Sequence, residues 1–563
     1  MRRRLLACVA SAVLLPAAVA GSAAADGPSV QAIGQEAASQ QSASSSATST
    51  QVQPSNTNIS VRIGSPGDGG AVTQANTSSA ASAAGNVNTT AQQAAQAAAD
   101  AGVQLADQSA ANQQSADSSA SSTQSHPQNQ NIAVRIMSPG DDGSVTQTNS
   151  SDATSAAGNK NQTDQSAAQS GGGAGGIQHA AQQASNKQDA SSEATSEQKH
   201  PSNVNVPVRI FSPGDGGSVK QTNSSSANSA AGNKNATAQK SAQDTGSTFS
   251  LENTCGGGCD DDGAESVQDA EQKASNEQSA DSSASATQEH ASNVNAPVRI
   301  YSEGDDGTVT QTNSSAAESA AGNLNVTDQS SEQSGDGSHG VTVQAIGQKA
   351  ESDQDASSEA SSEQVAPSNV NWPVRIKSAG DDGDVLQSNS SSAESAAGNA
   401  NWTAQDADQH AGSYGGTVVK AVGQWASSEQ AAQSSADSSQ KGACNTNAPV
   451  RVKSPGDEGD VEQSNSSSAE SAAGNLNVTD QATEQAADAW SEVVVQAMGQ
   501  KADNDQDASS EASSEQVAPS NDNGPLRILS WGGGGWIEQS NASDAASAAG
   551  NRKWTRQGAG QAH

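Results

Sequence analysis

The stretch that decides the fold is QAIGQKAESDQDASSEASSEQ, Gln344–Gln364. Every second position reads Gln344, Ile346, Gln348, Ala350, Ser352, Gln354, Ala356, Ser358, Ala360, Ser362 and Gln364; the positions between carry Lys349, Glu351, Asp353, Asp355, Glu359 and Glu363. One register is small and neutral and the other holds the charge. That is the two-residue period of a β-strand; on a helix these glutamines would scatter around the axis. The same pattern starts at Gln31 and again at Gln496.

Working outward, a middle segment follows at Asn369–Ile376, and then a Gly/Asp cluster, Gly380–Gly383, which is a turn signal. Within it Val374 and Ile376 point one way on a strand and Arg375 the other. A third part alternates again from Val385 through Gln387, Asn389 and Ser391 to Asn399, Asn401, Thr403 and Gln405. A short helix ending at Gly-Asn competes for its centre, but the alternation continues on both sides and favours strand. The turn reads as one corner of a hairpin. A single strand of 21 residues would span roughly 70 Å, so each arm is expected to bend into two or three shorter strands.

This three-part unit recurs. The arginine of the Val-Arg-Ile segment, or a close variant, stands at Arg62, Arg135, Arg209, Arg299, Arg375, Arg451 and Arg527, at spacings of 73, 74, 90, 76, 76 and 76 residues. The copies occupy 26–99, 100–172, 173–247, 264–337, 338–413, 414–489 and 490–563. The one long spacing holds an insertion, 248–263, with Cys255, Cys259 and the run Asp260–Asp262. Such repetition identifies a stacked array in which each unit buries its face only against its neighbours. The expected fold is all-β, a tandem-repeat β-solenoid or stacked β-rung array with several rungs per copy. The alternative is a largely disordered low-complexity chain.

Composition supports both the thinness of the core and the exclusion of an ordinary enzyme. Val, Ile, Leu and Phe total 62 of 563 residues, and aromatics are 2%. This is too little large apolar side chain to offset the ordering entropy of a globular core. The formal charge of -36 opposes nucleic acid and anionic membrane as partners. Residues 1–25 read as a secretory signal peptide: Arg2, Arg3 and Arg4, then the apolar run Leu5–Ala20, then small residues. No later run is long and apolar enough to span a bilayer.

Val145–Gln165, with Val-x-Gln-x-Asn followed by Ala-Gly-Asn-x-Asn-x-Thr-x-Gln, resembles the curlin-type repeat of secreted bacterial fibre proteins. The likeness covers the third part of each copy. A longer interval separates its two elements here, and the Val-Arg-Ile segment has no counterpart. The resemblance implies a secreted β-rich surface or matrix protein.

The residues that invite chemistry have structural readings. His126, His200 and His290 share one repeat position, and no catalytic constellation emerges. The Gly-Asp-Asp-Gly turns (Asp141/Asp142, Asp305/Asp306, Asp381/Asp382) suit either solvated turns or calcium, but Asp68 and Asp215 stand alone in their copies. If copies stack, the seven arginines form a column that needs acidic turns beside it; facing water on an edge strand is the alternative. Cys255 and Cys259 are candidates for a small disulfide, leaving Cys444 over. The seventh copy, with Trp531, Trp536 and the basic cluster Arg552–Arg556, is expected to close the stack. The functional expectation is a secreted, non-enzymatic structural, coating or adhesive protein without a cofactor. Its expected partners are copies of itself or cell-surface or matrix components. The alternatives are a disordered hydrated extracellular spacer and a calcium-responsive module.

Overall fold

A computed structural model describes residues 30–98, 102–171, 176–245, 265–338, 340–414, 416–487 and 493–562. Residues 1–25, where a signal peptide is expected, and the insertion with Cys255 and Cys259 lie outside these residues.

Each copy is one coil of a parallel β-solenoid. In the fifth copy the first arm is a single strand, Val341–Val365. The middle segment is Ser368–Asn371 and Val374–Ile376, and the last arm is a single strand, Val385–Tyr414. Seven first arms pair in chain order into one parallel sheet, seven last arms into a second, and the middle segments into a third. The third part is therefore strand throughout, and each arm is unbroken rather than divided into shorter strands. The array has one rung per copy, not several. The reason is register. Gln344 pairs with Gln268 and Ala350 with Ala274, one repeat away, so a long straight strand finds its partner in the neighbouring copy at every step.

The chain path doubles back at the Gly/Asp turn, but the strands of one copy do not form a hydrogen-bonded hairpin. They face each other across the core through side chains: Gln35 Nε2 donates to the Gln93 carbonyl, Gln51 Nε2 to that of Thr77, and Asn56 Nδ2 to that of Ala75. The first arm and then the middle segment thus cover successive stretches of the last arm.

The register identified as small and neutral is the buried one. Alanine columns fill much of the space between the two large sheets, as at Ala280, Ala356 and Ala432 against Ala321, Ala397 and Ala473. A valine column, Val145 through Val461, closes the end near the turn. Between them run amide ladders. Gln348 Nε2 donates to Gln272 Oε1 at 2.9 Å and to the Asp406 carbonyl at 2.8 Å; Gln424 then donates to Gln348 Oε1 at 2.9 Å. A buried amide without partners costs roughly 2–7 kcal/mol, so such a core is stable only when the ladder continues from copy to copy. Repetition supplies that continuity.

Two corners per coil are set by left-handed backbone. His126, His200, His290 and Ala366 have φ near +50° at the first corner; Met137, Phe211, Tyr301 and Lys377 share it at the second. Non-glycine residues rarely adopt this conformation. Here backbone hydrogen bonds between equivalent corners hold them, such as Ala366 N–H to the Lys441 carbonyl at 2.7 Å.

Candidate functional site: the arginine column at the turn

The seven arginines stack as expected, and the interior choice between the two readings is clear. Arg209, Arg299, Arg375 and Arg451 are each at most 2% exposed, and Arg135 is buried as well. They face inward because Val-Arg-Ile alternates, which leaves the flanking valine and isoleucine outside.

From the second copy onward each guanidinium knits its turn to the turn before it. Arg375 Nη1 donates to the Gly304 carbonyl of the preceding copy at 2.8 Å, and Nη2 donates to the Asp381 carbonyl of its own at 2.6 Å. Its charge meets Asp306 at 2.8 Å and Asp382 at 2.9 Å. Asp306 also holds Arg299 at 2.7 Å, and Asp382 holds Arg451 at 2.8 Å. Asp142 bridges Arg135 and Arg209 in the same way, at 2.8 and 2.7 Å, and Glu458 takes Arg527 at 2.6 Å. The second aspartate of Gly-Asp-Asp-Gly is therefore the arginine's counter-ion. Copies one, three and seven carry Gly69, Gly216 and Gly534 there instead. Arg62 accordingly donates only to the carbonyls of Gly67 and Asp68.

The first aspartate has a different role. Asp141 N–H donates to Asp68 Oδ1 at 3.0 Å, Asp381 N–H to Asp305 Oδ1 at 2.8 Å, and Asp457 N–H to Asp381 Oδ1 at 2.7 Å. This outer column ties one turn's carboxylate to the next turn's backbone. Among the described residues no group of three or more His, Cys, Asp or Glu side chains is arranged to hold a metal ion. The run Asp260–Asp262 lies outside them.

Electrostatics show what the column costs. Burial pulls Arg299 below its ordinary range, Asp306 opposes this, and Arg375 and Arg209 reinforce it. Burial likewise pushes Asp382 up, against the attraction of Arg375 and Arg451. Both shifts say that desolvation exceeds pairing, the usual balance for buried ion pairs. Arginine stays charged regardless. The ladder's contribution is thus to fix register, because a slipped coil would bury arginine without its carboxylate.

The turn admits this geometry through glycine. Gly380 has φ +134°, and a Cβ there would overlap the Gly304 carbonyl below it. Its equivalents Gly67, Gly140, Gly214, Gly304, Gly456 and Gly532 all have φ between 129° and 145°. A cavity of about 310 Å³ runs beside the column, bordered by Asn205, Asn295 and Asn371 on one side and Val219 and Val309 on the other.

Two further features escaped the sequence reading. The three histidines stack face to face at the first corner, with ring centroids 4.7 and 4.8 Å apart. Their shared repeat position was the available signal. Lys420 stands in a glutamine column and is 1% exposed, its Nζ donating to the carbonyls of Gln409 and Ala486. The neighbouring Gln344 Oε1 is left without a hydrogen bond. The first and seventh copies are the two open ends of the three sheets among the described residues, and Trp531 and Trp536 are exposed at the seventh copy's turn.

The architecture defines the class as a one-rung-per-repeat parallel β-solenoid with an internal arginine–carboxylate ladder. No family model, curated protein or solved structure matches the chain. No helix among the described residues is long and apolar enough to cross a membrane.

Proposed function

We propose that this chain is a secreted, non-enzymatic structural protein, serving as a coating or adhesive element at the cell surface or in the extracellular matrix. The observation that supports this most is how the recurrent polar residues are used. Glutamine and asparagine ladders and the turn arginines direct their hydrogen bonds at their own repeat copies and not at a common point on the surface. Asn369, for example, donates to Asn445 at 2.9 Å, to Asn389 at 3.1 Å and to the Ser388 carbonyl at 2.9 Å. Such bonding makes a stiff body from small residues, which suits a load-bearing or covering role. The basic and apolar residues of 1–25 support export, and the resemblance of the last arms to curlin-type repeats points to the same setting.

The test is where the protein resides and what its loss changes. Immunolabelling of intact producing cells should decorate the surface or matrix, and a deletion strain should lose adhesion or surface wetting properties while its metabolism is unchanged. Label confined to the cell interior would refute the proposal.

A further inference from the structure

A chain with so few large apolar residues spends many of them on the outside. In the middle sheet Asn203, Asn205 and Arg209 are buried, whereas the alternate positions face away from the core. Those positions form continuous columns, valine beside isoleucine, as in Val208 and Ile210, Val298 and Ile300, Val374 and Ile376. At the first-copy end Ile59, Val61 and Ile63 are 63%, 59% and 62% exposed. Trp372 stands out of the same face at 54%. Phe211 and Tyr301 stand at its turn edge, stacked at 5.0 Å, and that edge column continues to the cations Lys377 and Lys453.

Four outward positions in each of seven copies make up this face, and the single charge among them is Asp522. The outward registers of the two arm sheets carry most of the acids behind the chain's charge of -36. With strands about 4.8 Å apart and about 3.3 Å per residue, the face measures about 30 by 20 Å. That is about 600 Å² of nearly uncharged, largely β-branched surface. Contiguous apolar patches of this size mark interaction sites.

We propose that this face is the interface of a face-to-face dimer with a second copy of the chain. Two such faces bury about 1,200 Å² in total, the lower bound of a standard specific interface. Both partners present columns at the same rung spacing, so ridges of valine and isoleucine interleave along the whole length, as in stacked sheets about 10 Å apart. Local charge is compatible with this partner: a second copy carries the same net charge, but its equivalent face brings almost no carboxylate into the contact, whereas an anionic lipid surface would set charge directly against the acidic flanks. A two-fold arrangement also closes on itself, so the association ends at two copies. The inference rests on the fold and stands whether or not the chain serves as a surface component.

The experiment is sedimentation velocity of the full chain up to about 100 µM, where a weak specific dimer is populated. A reversible monomer–dimer equilibrium is expected. The quadruple variant V298T/I300T/V374T/I376T keeps β-branched shape and strand propensity while removing apolar surface. It should retain its circular dichroism and weaken the dimer about 30-fold or more. Trp372→Ser, a single exposed change, should weaken it about tenfold and decides the matter if the quadruple variant does not fold. Ala320→Lys with Ala396→Lys, on the outer face of the last-arm sheet, should leave it unchanged. A chain that stays monomeric at the highest concentration overturns the proposal. So do assemblies indifferent to the threonine and serine variants, and so does a monomer that floats with phosphatidylcholine vesicles through this face.

Discussion

Replacing Asp306 by Asn tests the arginine ladder where it is most exposed to failure. Asp306 is the only carboxylate within ion-pair distance of Arg299 among the described residues, at 2.7 Å, and one of two for Arg375. The amide keeps the shape but removes the charge, leaving Arg299 buried beside Arg209 and Arg375, both of which already oppose its ionisation. Arg375 retains Asp382. Stranding one buried charge costs about 3–5 kcal/mol, against about 0–1 kcal/mol for an exposed pair such as Lys441 with Glu363. Repeat arrays lose cooperativity as they lengthen, so the effect belongs in local opening and not in one global midpoint. Hydrogen exchange read by mass spectrometry over residues 298–312 should show protection reduced by about two to three and a half orders of magnitude. Asp306→Glu restores the charge and should recover part of it; at the equivalent position of the sixth copy Glu458 holds Arg527 of the seventh. Glu363→Gln is the exposed control. Equal exchange in Asp306→Asn and Glu363→Gln would refute the ladder's role in holding adjacent coils together.

Lys420→Gln should stabilise the protein by about 1–3 kcal/mol, because it restores a donor to Gln344 Oε1 and an acceptor for Gln496 in the glutamine column; an unchanged or lower urea midpoint would contradict this. Acidification from about pH 7 to about pH 4, the ordinary carboxylate range, should raise stability. Burial raises the carboxyls of Asp189, Asp281, Asp353, Asp382, Asp406 and Asp408, and Glu429 and Glu277 add to the effect at Asp353. The native state then holds protons that the unfolded chain has released, so stability grows as pH falls toward the ordinary carboxylate range. His200 acts in the opposite sense. Burial, then His290 and His126, lower it, so the unfolded chain takes up its proton first and stability declines through the ordinary histidine range. Six carboxyls outweigh one imidazole, and a urea midpoint lower at about pH 4 than at about pH 7 would refute the balance.

The fold class was legible because the two-residue period survives through all seven copies, and the buried register is the one that Gln344 to Gln364 spell out. What could not be read was how far a strand runs. Strand length in an ordinary sheet is limited by twist and by short partners, which argued for bent arms. Here the partner of Ala350 is Ala274 and that of Gln364 is Gln288, so nothing ends the pairing before the corner. The arginine column and its need of the acidic turns were visible in the sequence, but which aspartate answers the arginine was not. Asp381 and Asp382 are adjacent in sequence, and only the turn sends one to the neighbouring backbone and the other to the guanidinium. Lys420 was hidden for the opposite reason: a single cation in a polar register reads as solvent-facing until the column around it is known.

The most direct test of one rung per repeat is a distance between equivalent residues far apart in sequence. Ser46 and Ser435 occupy the same outward column in the first and sixth copies, connected through Ser119, Glu193, Ser283 and Glu359. Spin labels on cysteines placed there, with the native cysteines replaced, should give a narrow double electron–electron resonance distribution near 24 Å, five steps of about 4.8 Å. A narrow peak near 70 Å would mean several rungs per copy, and a broad distribution at long distance would mean no stack at all; either would contradict the fold described for this chain.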